Sequence, residues 1–226
     1  MSQEKAKKAA AAAALQFIKS NMTIGLGSGS TSEFFIEELI KKTKSGLTIQ
    51  TVSSSKRSEA LAKKGNILVK NIDEVTNIDL TIDGADEIDP EKKMIKGGGG
   101  AHVREKILAT SSQKMIVIID ETKQVKTLGE RALPVEIIEY GHLHTEKKLN
   151  IAGFKGVWRK NTDGSLFITD NNNYIYDVTI KSLTQKPEEI HSQILCVPGV
   201  VDTGFFFKVA HTVIVGHPDG SYEIIN

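Results

Sequence analysis

Three short stretches of this 226-residue chain carry residue types that could bind a small anionic substrate and move its protons. The first covers residues 25–31, with the sequence GLGSGST, between a segment predicted to be a buried strand and one predicted to be a helix. The N-terminus of a helix attracts anions because its backbone N–H groups are unpaired and its dipole is positive there. We interpret this stretch as a phosphate-binding loop, with an ordinary tight turn as the alternative.

Two well-known phosphate loops do not fit this stretch. A dinucleotide-binding loop would place a third glycine where Ser30 stands and an acidic residue at the end of the second predicted strand, where residues 52–55 read VSSS. A P-loop needs Gly-Lys-Ser or Gly-Lys-Thr after its spacer, and neither tripeptide occurs in the chain. A small phosphorylated ligand is the better prediction.

The second stretch is acidic, since residues 83–87 read DGADE after an apolar segment predicted to be a strand. Ligands of α/β proteins bind outside the carboxyl ends of the strands, so we expect Asp83 and Asp86 at such an edge. Carboxylates there could carry protons between substrate atoms. A solvated acidic turn and a site for a hard cation are the alternatives, although the spacing fits neither a calcium-binding loop nor a two-aspartate phosphatase motif.

The third stretch, residues 96–101, has the sequence KGGGGA. Glycines let the backbone approach a ligand closely, and Lys96 could stabilise a developing oxyanion. A flexible hinge is the alternative interpretation of the glycines. Glu105 follows in the first turn of a helix predicted over residues 102–110, where it could act as a base or could merely complement the helix dipole.

Alternating strand and helix patterns must position these three stretches. Helices are predicted at the alanine-rich N-terminus, after a cap at Ser32, and at residues 57–64. The predicted strands are residues 23–26, 47–52, 67–69, 78–82 and 115–119. This alternation predicts an α/β fold with a Rossmann-like, mostly parallel sheet flanked by helices.

The pattern changes after residue 130, where short strand patterns alternate with turn residues. The elements predicted there are strands at 134–140, 157–159, 165–169 and 174–179 and helices at 144–149 and 187–195. We therefore expect a smaller α+β, ferredoxin-like domain at residues 131–205. The catalytic domain is expected to comprise residues 1–130 and 206–226, with strand patterns at 205–207, 212–215 and 222–225.

Composition excludes several classes of partner. Lys and Arg total 29 and Asp and Glu total 28, with both signs interleaved, so a nucleic-acid partner has little electrostatic support. No segment approaches the roughly 20 apolar residues needed to span a bilayer, so no membrane partner is expected. The single cysteine, Cys196, cannot close an intrachain disulfide, which indicates a reducing compartment and a cytoplasmic location.

In their order and spacing, the three stretches resemble ribose-5-phosphate isomerase of the A type. Further similarity at residues 120–123, 128–129, 133–136, 169–171 and 197–201 extends the resemblance over essentially the whole chain. Two departures are visible. Ser28 stands where the family usually has threonine, and residues 100–102 replace a more apolar stretch, but neither change removes a needed functional group.

The resemblance implies isomerisation between D-ribose 5-phosphate and D-ribulose 5-phosphate through a cis-enediolate, in the non-oxidative branch of the pentose phosphate pathway. It implies that Glu105 is the base, that Lys96 holds the oxyanion, and that Asp83 and Asp86 open the sugar ring and transfer protons between oxygens. The substrate-binding residues that it implies are Ser28, Gly29, Ser30, Thr31, Asp83, Gly84, Ala85, Asp86, Lys96, Gly97, Gly98, Gly99 and Lys123. It implies no cofactor and no metal, and family members are usually homodimers or homotetramers.

Two functions of other kinds stay open beside the isomerase. One is a non-catalytic phosphosugar-sensing domain, but a transcriptional sensor would need a DNA-reading module and the N-terminal helix is too short for one. The other is a CoA-transferase-like enzyme, which would use a glutamate as nucleophile. The phosphate-sized loop at residues 25–31 disfavours that enzyme.

Overall fold

The computed structural model describes residues 2–226, which form six α-helices, fourteen β-strands and three short 3₁₀ helices. The α-helices are α1 (Ser2–Ala14), α2 (Ser30–Lys44), α3 (Lys56–Lys64), α4 (His102–Thr110), α5 (His142–Ile151) and α6 (Pro187–Leu195). The 3₁₀ helices are Leu15–Phe17, Ile72–Glu74 and Glu121–Lys123.

The first seven strands are β1 (Thr23–Leu26), β2 (Gln50–Ser53), β3 (Val69–Lys70), β4 (Leu80–Asp83), β5 (Glu87–Ile88), β6 (Met94–Ile95) and β7 (Met115–Asp120). The other seven are β8 (Leu133–Ile137), β9 (Gly156–Trp158), β10 (Tyr174–Val178), β11 (Val200–Thr203), β12 (Phe205–Phe206), β13 (Thr212–Gly216) and β14 (Tyr222–Ile225).

These elements form two compact units, each built from separate segments of the chain. The first unit contains residues 2–85, Arg104–Gln124 and Phe207–Asn226. The second contains Asp86–Val103 and Val125–Phe206. Asp86–Val103 thus belongs to the second unit, whereas the sequence analysis assigned it to the catalytic domain. The expected domain boundaries at 130/131 and 205/206 stay a prediction.

The first unit is built around a seven-stranded sheet in the order β14-β13-β7-β4-β1-β2-β3. Every neighbouring pair is parallel except β13 and β14, which are antiparallel. All six residues of β7 are buried, as expected for a parallel strand covered on both faces. Apolar side chains of the central strands and of helices α1 and α2 form one core. The predicted mostly parallel sheet flanked by helices is confirmed.

Helix α1 lies close to the sheet because its inward side chains are small. Ala10 and Ala14 are fully buried. A Cβ atom on Gly216 of β13 would come within 1.9 Å of the carbonyl oxygen of Ala6, so helix and strand backbones meet there with no room for a side chain. This packing fixes the position of α1 and, with it, the positions of the lysines on the helix.

The second unit contains a four-stranded antiparallel sheet in the order β11-β8-β10-β9. In chain order its elements are β8, α5, β9, β10, α6 and β11. This βαββαβ sequence with four antiparallel strands is the ferredoxin-like arrangement, which confirms the predicted α+β fold. A separate three-stranded antiparallel sheet, β12-β6-β5, contains the strand that directly precedes Lys96.

One local prediction in the second unit is wrong. Residues 165–169 form only isolated bridges, because the turn at Asp163, whose carboxylate accepts from the Ser165 N–H at 2.9 Å, and the turn at Thr169 bend the chain. The strand predicted at residues 205–207 is confirmed at Phe205–Phe206, where it pairs with β6. The helix predicted at residues 187–195 is confirmed, with Pro187 in its first turn.

Candidate active site

The hydroxyl loop, residues 27–31, comprises the connection between β1 and α2 at residues 27–29 and the first two residues of α2. Its N-cap residue is Gly29, with φ of 87°, a conformation that favours glycine because it has no Cβ. The predicted cap at Ser32 is wrong: Ser32 lies within the first turn and its hydroxyl donates instead to the carboxylate of Asp83, at 3.2 Å. With no side-chain cap, the first backbone N–H groups of α2 are available to an anion.

Asp83 is completely buried at the carboxyl end of β4. Its Oδ1 accepts hydrogen bonds from the backbone N–H groups of Ser28, at 3.0 Å, and Gly84, at 2.7 Å, besides the one from Ser32. A Cβ on Gly27 would lie 2.0 Å from that oxygen, so Gly27 makes room for the carboxylate. Asp83 therefore braces the loop that carries the hydroxyl groups.

Glu105 lies in the first turn of α4 and is only 4% exposed. The Ser28 hydroxyl donates a hydrogen bond to its carboxylate. A glutamate that only complements a helix dipole is ordinarily solvated, so burial beside the hydroxyl loop favours the base over the dipole interpretation. Three of the predicted residues of the first unit, Ser28, Asp83 and Glu105, are thus brought together.

A cation of the first unit that the sequence analysis missed is Lys7, on α1. Its Nζ donates to the Ser30 hydroxyl at 3.0 Å, at the N-terminus of α2. An ammonium group beside free backbone N–H groups strengthens an anion site. The sequence gives no signal that separates Lys7 from Lys5 and Lys8, because all three lie on one short helix and only the packing of that helix selects the one that reaches the loop.

Lys123 ends the 3₁₀ helix that follows β7. The turn is capped by Asp120, whose buried carboxylate accepts from the backbone N–H of Thr122 at 3.1 Å. The β7 strand thus ends in an ordered polar turn at the carboxyl edge of the sheet, as β1 and β4 do, where α/β proteins bind ligands.

In the second unit, Asp86 and the glycine loop at residues 97–100 form a compact structure. Asp86 Oδ2 accepts a hydrogen bond from the backbone N–H of Gly98 at 2.7 Å, and a Cβ on Gly98 would lie 2.7 Å from Asp86 Oδ1. Gly97 and Gly100 have φ of 102° and 79°, respectively. Glycine is therefore required by contact and by backbone conformation, which contradicts the interpretation as a loose hinge.

Lys96 directly precedes this loop and is 3% exposed. Its backbone N–H donates to the carbonyl of Gly204 at 2.9 Å, and its Nζ lies 5.5 Å from the centroid of the Phe206 ring. A cation–π contact of this kind holds a buried ammonium group in place without neutralising its charge. Lys96 thus lies buried beside the first residue of the glycine loop, with its ammonium group against the Phe206 ring.

Residues 2–226 contain no group of three or more histidine, cysteine, aspartate or glutamate side chains arranged to hold a metal ion. None of the helices described is long and apolar enough to cross a membrane.

Comparisons with known proteins agree on one family. The family model described as ribose 5-phosphate isomerase A (phosphoriboisomerase A) matches residues 50–220. The ribose-5-phosphate isomerase A of Protochlamydia amoebophila is 47% identical over 98% of this chain and 95% of its own length, and that of Parvibaculum lavamentivorans is 43% identical over 98% of each. These alignments cover the hydroxyl loop, which precedes the residues matched by the family model.

Solved structures give the same result. A D-ribose-5-phosphate isomerase in complex with phospho-erythronic acid has a TM-score of 0.94 and 35% identity, with both chains covered completely. The ribose 5-phosphate isomerase of Plasmodium falciparum has a TM-score of 0.93 and 38% identity over 99% of this chain and 98% of its own. The chain therefore belongs to the ribose 5-phosphate isomerase A family, whose activity is the interconversion of an aldose and a ketose phosphate.

Proposed function

We propose that this chain interconverts D-ribose 5-phosphate and D-ribulose 5-phosphate with Glu105 as the base that carries the proton. The observation that supports this role most is that the Glu105 carboxylate is buried and accepts a hydrogen bond from the Ser28 hydroxyl of the hydroxyl loop. Burying a carboxylate costs folding free energy unless it is paired or hydrogen-bonded, so a buried carboxylate at a ligand site indicates a function. A general base also needs to lie within hydrogen-bonding reach of its substrate.

The proposed reaction moves one proton between neighbouring carbons. Glu105 removes the proton from C2 of the open-chain aldose, which gives a cis-enediolate, and returns it to C1 to form the ketose. Lys96 and the backbone N–H groups of Gly97 and Gly99 stabilise the negative charge that develops on oxygen, while the Gly98 N–H holds the Asp86 carboxylate beside the substrate. The fixed ammonium group of Lys96 suits this role because its position needs little adjustment as the charge develops.

The two aspartates have different surroundings that suit two proton-transfer roles. Asp83 accepts hydrogen bonds from Ser28, Ser32 and the backbone N–H of Gly84, whereas Asp86 accepts one from Gly98 of the glycine loop. We assign both to opening the furanose ring and to moving protons between the two substrate oxygens. Gly84 and Ala85, which separate the two aspartates in the chain, are proposed to bind the substrate through their backbone.

The phosphate is proposed to bind at the N-terminus of α2. Gly29, Ser30 and Thr31 supply hydroxyl and backbone donors there, and Lys7, bonded to Ser30, supplies charge. Ser28, which is bonded to Glu105, is proposed to bind the substrate nearer the reacting carbons. Lys123 is proposed as a second cation for the substrate, carried over from the family resemblance. Such donors bind the phosphate far from the reacting carbons and therefore contribute mainly to affinity.

We further propose that the protein is a cytoplasmic homo-oligomer, a dimer or a tetramer. The exposed free thiol of Cys196 fits a reducing compartment. Large apolar side chains exposed in the second unit, among them Tyr140, Leu143 and Val157, are typical of a contact surface.

The deciding experiment is to incubate the protein with D-ribose 5-phosphate in heavy water and to follow ketose formation and deuterium incorporation at C1. We expect D-ribulose 5-phosphate to form, with deuterium at C1 wherever the carboxyl proton exchanges with solvent before transfer. Binding of ribose 5-phosphate without ketose formation would support a sensing domain and would overturn the proposed function. A glutamyl thioester formed with an acyl-CoA donor would support the transferase instead.

A further inference from the structure

The second unit contains an arginine whose contacts reach the glycine loop through the backbone. Arg159 follows β9 and forms a two-point ion pair with Asp177 of β10, with Nε to Oδ2 at 2.9 Å and Nη2 to Oδ1 at 2.5 Å. Its remaining nitrogen, Nη1, donates to the carbonyl oxygens of Gly97, at 2.7 Å, and Gly98, at 3.1 Å. A guanidinium group can serve all these acceptors at once because its donors form a planar fork.

These contacts orient two consecutive peptide groups. In a planar trans peptide the N–H points away from the C=O, so a carbonyl fixed towards Arg159 turns the next N–H in the opposite direction. The N–H that follows the Gly97 carbonyl belongs to Gly98, and it donates to Asp86 at 2.7 Å. One peptide group therefore lies between the Arg159 guanidinium and the Asp86 carboxylate, and the same geometry turns the Gly99 N–H away from Arg159.

The surroundings restrict the loop further. The Phe167 ring lies against Gly100, where a Cβ would come within 2.4 Å of the ring, and the Arg159 guanidinium carbon lies 5.9 Å from the centroid of that ring. Four successive glycines would otherwise sample many backbone conformations. Arg159, Asp177 and Phe167 together replace the restriction that side chains in the loop would have provided.

We infer that Arg159 is a positioning residue for isomerisation, which fixes the Gly97 and Gly98 peptides so that the loop N–H groups and the Asp86 carboxylate keep their reactive orientation. This inference rests on the proposed roles of Asp86 and the glycine loop in the reaction. The competing interpretation is that the Arg159–Asp177 pair only stabilises the sheet between β9 and β10.

The two interpretations predict different losses of kcat when Arg159 or Asp177 is replaced. If the pair only joins two strands, Arg159→Met and Asp177→Asn should lower the melting temperature and kcat in parallel. If Arg159 positions the loop, Asp177→Asn leaves its carbonyl bonds in place and should lower kcat less than about 3-fold. Arg159→Met should then lower kcat by about 10-fold or more with little change in KM, as displacement of reacting groups does.

The experiment compares these variants with Arg159→Lys and with Arg57→Met, an exposed arginine paired with Glu33 on the first unit. Lysine keeps the charge but cannot donate to two carbonyls and two carboxylate oxygens together, so it should also lose most of kcat. Arg57→Met should match wild type. Amide hydrogen exchange at Gly98, measured without substrate, should accelerate in both Arg159 variants and less in Asp177→Asn.

Folded Arg159→Lys with wild-type kcat and wild-type exchange at Gly98 would overturn the inference, and so would parallel losses in Arg159→Met and Asp177→Asn. If Arg159→Met does not fold, Arg159→Lys decides. A wild-type protein that forms no ketose would overturn the proposed function, while the Gly98 exchange would still report whether Arg159 orders the loop.

Discussion

At the scale of single residues, the glycines of the site make room for carboxylates. A Cβ atom on Gly27 would clash with the Asp83 carboxylate, and a Cβ atom on Gly98 would clash with the Asp86 carboxylate. The sequence predicts that glycines allow a close approach, but it does not say what approaches. A pattern of glycines cannot reveal either contact, because it does not show which side chain will lie against each glycine.

Glu105→Gln separates the base from the dipole interpretation. Glutamine keeps the size of the side chain and its ability to accept from Ser28, but it cannot take a proton from carbon. We expect kcat to fall by at least about 10²-fold, with substrate still bound, in an assay of ketose formation.

Glu59→Gln is the matched control, because Glu59 also lies in the first turn of a helix, α3, but pairs with Lys63 at the surface. It should leave turnover unchanged and cost at most about 1 kcal/mol of stability. A folded Glu105→Gln protein with the same kcat as the Glu59→Gln protein would contradict the proposed mechanism, and Asp83 or Asp86 would then be the candidate base.

Lys7→Met tests the cation that only the structure reveals. Because Lys7 contacts the loop proposed to bind phosphate, its loss should raise KM by about 5-fold or more and leave kcat nearly unchanged. Lys8→Met is the control, since the neighbouring Lys8 pairs with Glu4 and lies over Phe34. A fall in kcat with an unchanged KM would mean that Lys7 acts beside the reacting carbons.

At the scale of elements, the long periodic segments were predictable and the very short ones were not. The helices at 102–110 and 187–195 follow from apolar periodicity, and the strand at 115–119 follows from a continuous apolar run. Strands β5 and β6 have only two residues each, too few for any period, and are defined by pairing with each other and with β12. The second partner of β6, strand β12, lies about a hundred residues away in the chain, where no local pattern can indicate it.

The turn that carries Lys123 is hydrogen-bonded to a titratable side chain, His217, which directly follows β13. The Nδ1 of His217 lies 2.8 Å from the Glu121 carboxylate, and this hydrogen bond raises the pKa of His217 above its ordinary value of 6.5. A raised pKa in the folded state means stability that is fully present below about pH 6.5 and is lost as the pH rises through the folded-state pKa.

Glu121→Gln should therefore lower the pKa of His217, read from the imidazole proton shifts by NMR, and should lower the melting temperature at pH 6 more than at pH 9. Glu130→Gln, which removes an exposed carboxylate paired with Lys181, should leave the His217 titration unchanged. A titration of His217 that is the same in wild type and Glu121→Gln would contradict the contact.

At the scale of the whole molecule, the sequence did not predict which segments of the chain make up each unit. The change of pattern after residue 130 is visible, but Asp86–Val103 joins the second unit through contacts such as Glu87 with the backbone N–H groups of Gly129 and Arg131. A buried carboxylate that accepts from a distant loop leaves no periodic signal. Asp86 and Glu87 are adjacent, and one is proposed to act on substrate while the other anchors the loop before β8.

The last prediction concerns self-association through the second unit. Strand β9 is an edge of the four-stranded sheet, and its middle residue, Val157, is 69% exposed. Edge strands with exposed apolar side chains are ordinarily covered, because their unpaired N–H and C=O groups invite another strand. Leu143, 62% exposed on α5, is a second apolar side chain of this unit.

We therefore expect wild type to sediment as a dimer or tetramer and the double variant Val157→Lys with Leu143→Lys to shift towards monomer in sedimentation velocity. A charge on an edge strand opposes pairing at modest cost to the fold, so the variant should keep its circular dichroism spectrum. Leu68→Lys, an exposed apolar position of the first unit, should sediment like wild type. If the double variant keeps the wild-type sedimentation coefficient, these two side chains are not part of the contact, and exposed residues of the first unit such as Ile107 become the candidates.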